Sequence, residues 1–120
     1  MEPPMGMQRI RIFTGADGES HFDGLTPEPL NDLGKLVSGP ATVEILDSPS
    51  FRDFHTGVRR ELAIVMQGIH EYTVKDDVKR VFPGDVLVIE DLTGHGHTFR
   101  AVGAERAISM RWPLGPDPEK

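Results

Sequence analysis

The sequence predicts an all-β, antiparallel sandwich or barrel, and three observations carry that prediction. Short apolar stretches, rich in β-branched side chains and bounded by Gly, Pro or Asp, recur along most of the chain. No stretch sustains the apolar period of a long helix. Turn residues separate the stretches at regular spacing, as expected where many short strands close into two sheets or a barrel. There is no internal repeat.

The elements follow in order. "MQRIRIFTG" sets Ile10 and Ile12 against Arg9 and Arg11, a period of two that suits a half-buried strand. "ADGES" supplies Asp-Gly turn chemistry. "LTPEPLNDLGKLVSGP" is the single plausible helical region, and Pro27 and Pro29 limit it to one or two turns. Strands are then expected in "ATVEILDS", "ELAIVMQG", "IHEYTVKDD", "VKRVFPGD", "VLVIED", "HTFRAVG" and "ERAISMRW". "MQGIHEYTVKDDVKRVF" reads as a hairpin with its tip at Lys75-Asp76-Asp77. In "FPGDV", Pro83 suits the first corner of a tight turn and Gly84 the positive φ after it. "MEPPMG" and "PLGPDPEK" are too rich in Pro and Gly for a ladder or a helix interior. One domain over 1–120 is expected, with a barrel core at 41–112, an N-terminal strand and arm at 7–40, and a flexible C-terminal tail at 113–120.

Composition narrows the function classes. At 120 residues the chain can build one core. It holds no Cys, which excludes disulfides, thiolate metal sites and Cys nucleophiles. The net charge is −6 with no basic run, so nucleic acid is not an expected partner. One Trp, one Tyr and six Phe are too few for a base-stacking platform. No apolar segment reaches membrane-spanning length, and the N-terminus lacks the order of a signal peptide. A cytoplasmic protein without membrane partners is the expectation.

Histidines and one glutamate are the candidate chemistry. Were His55 to face a barrel interior, alternation would turn Gly57, Arg59, Glu61, Ala63 and Val65 inward as well, unless Gly57 breaks the strand. Glu61 opens an apolar strand, an expensive place for a carboxylate without a cationic partner such as Arg59, Arg60 or a metal ion. Arg59 and Arg60 could clamp a substrate carboxylate, or simply neutralise Glu61. His21, after a turn, is either a general base at the barrel mouth or a surface histidine. His70, just past a glycine, reads as solvated. Tyr72 and Trp112 read as core or interface aromatics.

These segments resemble the small single-domain cupins over about residues 41–112. The first motif of that family is H-x-H, three or four residues, E, six residues, G. His55, Glu61 and Gly68 match it; Gly57 stands at the second His and Pro49 at the opening Gly. The second motif opens on a Gly, commonly within P-G-D, and runs through P-x-G-x-x-H to an Asn. Pro83-Gly84-Asp85, Gly94 and His97 match it; Leu92 replaces the Pro and Ala101 the Asn. Counting forward from Gly84 would instead place His95 at the ligand position. His97 is preferred, because "HTFRAV" already reads as the strand after the ligand, and both histidines could share one strand face.

The resemblance implies an antiparallel jelly-roll barrel. It implies a metal set of His55, Glu61 and His97 for a divalent ion such as Fe, Mn, Ni or Zn, with open positions for substrate or water. It implies an enzyme of the lyase, isomerase or dioxygenase type acting on a small acidic or carbonyl-bearing molecule. His95, His21 and Arg59 are then the candidates for the proton step and for substrate orientation. Two alternatives stand beside it: a metal-free cupin with His as the acid–base group, and a small-ligand-binding cupin without turnover. Small cupins commonly dimerise through an outer sheet, and Leu62, Ile64 and Met66 would supply such a face, so a homodimer is expected.

Overall fold

The computed structural model describes residues 7–115; most of the Pro/Gly-rich ends expected at either terminus lies outside the described residues. The strands are β1 (Arg9–Thr14), β2 (Ser20–Gly24), β3 (Thr42–Leu46), β4 (Ser50–His55), β5 (Glu61–Gln67), β6 (Ile69–Val74), β7 (Asp77–Val81), β8 (Val86–Glu90), β9 (His97–Val102) and β10 (Ala107–Pro113). Among the described residues one helix, α1 (Pro27–Gly34), fills the expected helical region. No helix among the described residues is long and apolar enough to cross a membrane.

The strands form a six-stranded sheet, β2-β1-β8-β5-β10-β3, and a four-stranded sheet, β4-β9-β6-β7. From β5 onward the chain crosses repeatedly between the two, which is the jelly-roll arrangement. Every pairing is antiparallel except β1 with β8. Alternation places Ile10, Ile12, Ala63, Val65, Leu87, Ile89 and Ala107 on the inner face of the larger sheet. Tyr72, Val74, Val81, Phe99 and Ala101 oppose them from the smaller one. Asp85, in the Pro-Gly-Asp turn, is 3% exposed and structural. Its carboxylate accepts from the backbone N–H of Phe82 and from the backbone and side chain of Gln8, tying the turn to the start of β1.

Three expectations change. β2 and β4 are strands that the apolar pattern did not mark, since "SHFDG" and "SFRDFH" carry polar residues on an edge strand of each sheet. The alternation drawn from His55 through Val65 does not run unbroken, because the chain bends between His55 and Glu61 while passing from one sheet to the other. Pro113 to Gly115, placed in the C-terminal tail, are held: Pro113 closes β10, Leu114 bridges Val37, and the Gly115 N–H donates to the Leu36 carbonyl.

Candidate functional site

The two histidines preferred from the sequence meet at one end of the barrel. His55 closes β4 and lies directly opposite His97, which opens β9. Their ring centroids are 4.6 Å apart, tilted by 58°. Gly96 makes this approach possible. It sits at φ 83, and a Cβ there would lie 2.1 Å from the His55 carbonyl oxygen.

Both rings are anchored through Nδ1. His97 is 3% exposed, and its Nδ1 lies 2.5 Å from Oδ2 of Asp91, which is fully buried. With Asp91 as the acceptor, this contact places a proton on His97 Nδ1 and turns Nε2 away from the carboxylate. Ser20 Oγ donates to the same Asp91 oxygen at 2.7 Å, while Asp91 Oδ1 has no partner. His55 Nδ1 lies 2.8 Å from the Asp53 carbonyl oxygen, which fixes the same tautomer.

Tyr72 stands beside this pair, its ring 5.7 Å from that of His97. It is 2% exposed, and Arg111 Nη2 donates to its hydroxyl at 3.2 Å. Burial pushes the phenol pKa up, with Arg111 working against it, so the group is neutral near pH 7. Arg111 is itself held by Ser109 Oγ at 3.0 Å and paired with Glu44 at 3.5 Å.

The other expected residues stand apart. Glu61 faces inward at 8% exposure, as alternation predicted, but its carboxylate lies 3.7 Å from Arg59 and within the electrostatic reach of Arg111 and Tyr72. Among the described residues no three His, Asp or Glu side chains gather in metal-binding geometry. The two imidazoles have the anchored form that ligating histidines adopt. The carboxylate expected to complete the set lies 3.7 Å from Arg59 instead.

His95 does not share the inner face with His97. Positive φ at Gly94 and Gly96 delays the start of β9 to His97, leaving His95 in the preceding turn. There it contacts Glu19 at 3.0 Å and stacks on Phe54 at 4.0 Å, with its side chain half exposed. His21 follows Ser20 on β2, so alternation sends Ser20 inward and His21 outward to Asp17 at 2.9 Å. Arg60 lies by Glu90 at 2.6 Å rather than by Glu61. His70, read as solvated, is 2% exposed.

Asp91, Ser20 and Arg111 escaped the sequence reading. Asp91 resembles a loop acid after a strand, and only its contact with a histidine six residues on gives it a role. Arg111 sits in a strand whose inward register could have been read by alternation, whereas Ser20 lies on β2, which the apolar pattern did not mark.

No family model and no curated protein matches the chain. Among solved structures, a conserved protein of unknown function from Streptococcus pyogenes is similar at 22% identity over 64% of this chain, with a TM-score of 0.51. The match also spans 64% of that protein's length. KdgF from Halomonas sp. is similar at 21% identity, covering 67% of this chain and 73% of its own, with a TM-score of 0.49. A cupin 2 domain-containing protein from Halorhodospira halophila is similar at 15% identity over 98% of this chain and 76% of its own, with a TM-score of 0.49. The likeness is one of fold. Two packed sheets with the chain crossing between them make this an all-β jelly roll.

Proposed function

We propose that the barrel is a small-molecule enzyme in which His97 moves a proton without help from a metal. The observation that carries this reading is the 2.5 Å contact between His97 Nδ1 and Asp91 Oδ2 inside the barrel. It leaves Nε2 as a base of fixed orientation, and a positioned base of this kind contributes about 100- to 10,000-fold to a rate.

The chemistry suited to these groups is proton abstraction next to a carbonyl. His97 Nε2 takes the proton, and the carbon–hydrogen electron pair moves toward the carbonyl oxygen. Tyr72, which accepts from Arg111, retains its own O–H to donate to that oxygen as charge develops. Returning the proton to a different carbon completes an isomerisation. Departure of a leaving group from the next carbon completes an elimination. His55, with its Nε2 also bare, is the second group able to carry a proton. Arg59, part-exposed beside Glu61, is the cation available to an acidic group of the substrate.

Proton exchange tests this before the substrate is known. A pool of small 2-oxo acids, hydroxy ketones and sugar acids is incubated with the protein in D₂O, and deuterium at carbon is followed by NMR. Exchange that His97→Ala abolishes supports the reading. Exchange that survives His97→Ala, or a pool left untouched by the wild-type protein, overturns it.

We propose also that two copies pair through the outer face of the larger sheet. Val43 and Ile45 are more than half exposed there, and they lie beside Met110 and Ile108 of the neighbouring strand. Ile64 continues the row on β5, and Met66 is 51% exposed further along that strand. An uncharged stripe across three strands is self-complementary about a two-fold axis, even in a chain of net charge −6.

A further inference from the structure

Three hydrogen bonds tie the hairpin of β1 and β2 to the loop that precedes β9. Thr14 Oγ1 donates to the Thr93 carbonyl at 3.0 Å, and the His95 N–H donates to the Gly18 carbonyl at 2.9 Å. Ser20 Oγ donates to Asp91 Oδ2 at 2.7 Å. Gly94 lets the two segments meet at their backbones. It sits at φ 77, and a Cβ there would lie 2.2 Å from the Gly18 carbonyl oxygen. The hairpin is thereby held against the chain that leads into His97.

The Ser20 bond differs from the other side-chain bond of this clamp. The Thr14 bond is exposed, where water competes for both partners. Ser20 and Asp91 are both fully buried, and His97 is 3% exposed. Ser20 opens β2 and points inward, while Glu19 and His21 on either side go outward to His95 and Asp17.

The hydroxyl acts on Asp91 as a competitor of the imidazole. Asp91 Oδ2 accepts from Ser20 Oγ and from His97 Nδ1 at once. Each donor draws on the charge of that oxygen, so each weakens the other's bond. Away from bulk solvent both bonds carry more of the carboxylate's charge than they would in water. The harder Asp91 pulls on the Nδ1 proton, the more tightly Nε2 retains a proton it has taken up. A base that must also release its proton works best when that pull is moderated.

We infer that Ser20 is a positioning residue for the His97 base and acts through Asp91: its hydroxyl holds Oδ2 in place and limits the pull of the carboxylate on the imidazole. The inference rests on the proton chemistry proposed for His97. It gives β2, at the edge of the six-stranded sheet, a part in the chemistry of β9 in the other sheet.

The test follows the ¹H and ¹⁵N resonances of the His97 Nδ1–H group in the full chain, across wild type, Ser20→Cys and Ser20→Ala. A thiol is a weaker donor than a hydroxyl, and a methyl group is none. The Nδ1 proton should therefore move downfield in the order Ser, Cys, Ala, as Asp91 turns its charge to the imidazole. A packing role would follow size instead and set Cys, the bulkiest of the three, apart from the other two. Thr14→Val removes the exposed bond and should leave the resonance in place. Carbon–deuterium exchange should fall about 10-fold in Ser20→Ala. A resonance unmoved in Ser20→Ala, an order that follows size, a Thr14→Val shift as large as that of Ser20→Ala, or undiminished exchange overturns the inference. The resonances need no substrate. A wild type that exchanges no carbon-bound proton, with the order Ser, Cys, Ala intact, overturns the proton chemistry and leaves the coupling of Ser20 to His97 standing.

Discussion

His97 Nδ1 lies 2.5 Å from Asp91 Oδ2, and both side chains are closed off from solvent. Asp91→Asn is isosteric but can present an amide N–H to Nδ1, forcing the imidazole proton onto Nε2. We expect the His97 ¹⁵N shifts to report that tautomer switch and carbon–deuterium exchange to fall by at least about 100-fold. A variant with unchanged tautomer and undiminished exchange would remove Asp91 from the site.

Tyr72 carries a phenol whose pKa is raised by burial above its ordinary value of 10.0. The folded state keeps that proton when the unfolded chain has released it. The stability Tyr72 contributes is therefore complete below about pH 10 and is lost as pH rises beyond it. Urea midpoints from pH 8 to pH 11 should decline more steeply for wild type than for Tyr72→Phe. At pH 7 the variant should be about 1–2 kcal/mol less stable, because Arg111 Nη2 loses an acceptor.

His70 titrates with the opposite sign. Its pKa is lowered from 6.5, first by burial, so the unfolded chain takes up the proton before the folded one does. Stability should fall as pH drops below about 6.5, and His70→Phe, which keeps a ring beside Phe99, should flatten that limb. Parallel curves for the two proteins between pH 7 and pH 5 would contradict the assignment.

Two glycines at similar φ should respond differently to alanine. Gly18, at φ 79, has nothing within 4 Å of a built Cβ, so Gly18→Ala should cost only the left-handed strain of about 1–2 kcal/mol. A Cβ built on Gly96, at φ 83, would lie 2.1 Å from the His55 carbonyl oxygen, so Gly96→Ala must also push β4 from β9. A loss greater than about 3 kcal/mol is expected, with the His55 and His97 resonances displaced. Thermal melts of the pair make the comparison.

Light scattering tests the outer face. A particle of twice the 13.3 kDa chain mass is expected for wild type, and a monomer for Ile45→Glu. Ile45 is 51% exposed in the single chain, so the charge should leave the fold intact. A monomeric wild type at micromolar concentration would rule the dimer out.

Local pattern sufficed for most of the architecture. Period-two alternation in "RIRIF" and "ELAIV", turn residues at Pro83-Gly84 and the hairpin tip at Lys75-Asp76 depend on near neighbours, and β1, β5, β6, β7 and the turn before β8 stand where those signals put them. That β9 opens at His97 rather than at His95 was legible for the same reason, because the strand pattern after it sets the register. The partners of the candidate site were not. Asp91, just after β8, meets Ser20 at the start of β2 and His97 at the start of β9 only in the folded barrel, with 71 residues separating the serine from the aspartate. Glu61 was free on paper to join the histidines; packing sets it 3.7 Å from Arg59, the cation a buried carboxylate needs beside it. Alternation along a strand is a property of the chain, whereas the company a side chain keeps across strands is decided by register and closure.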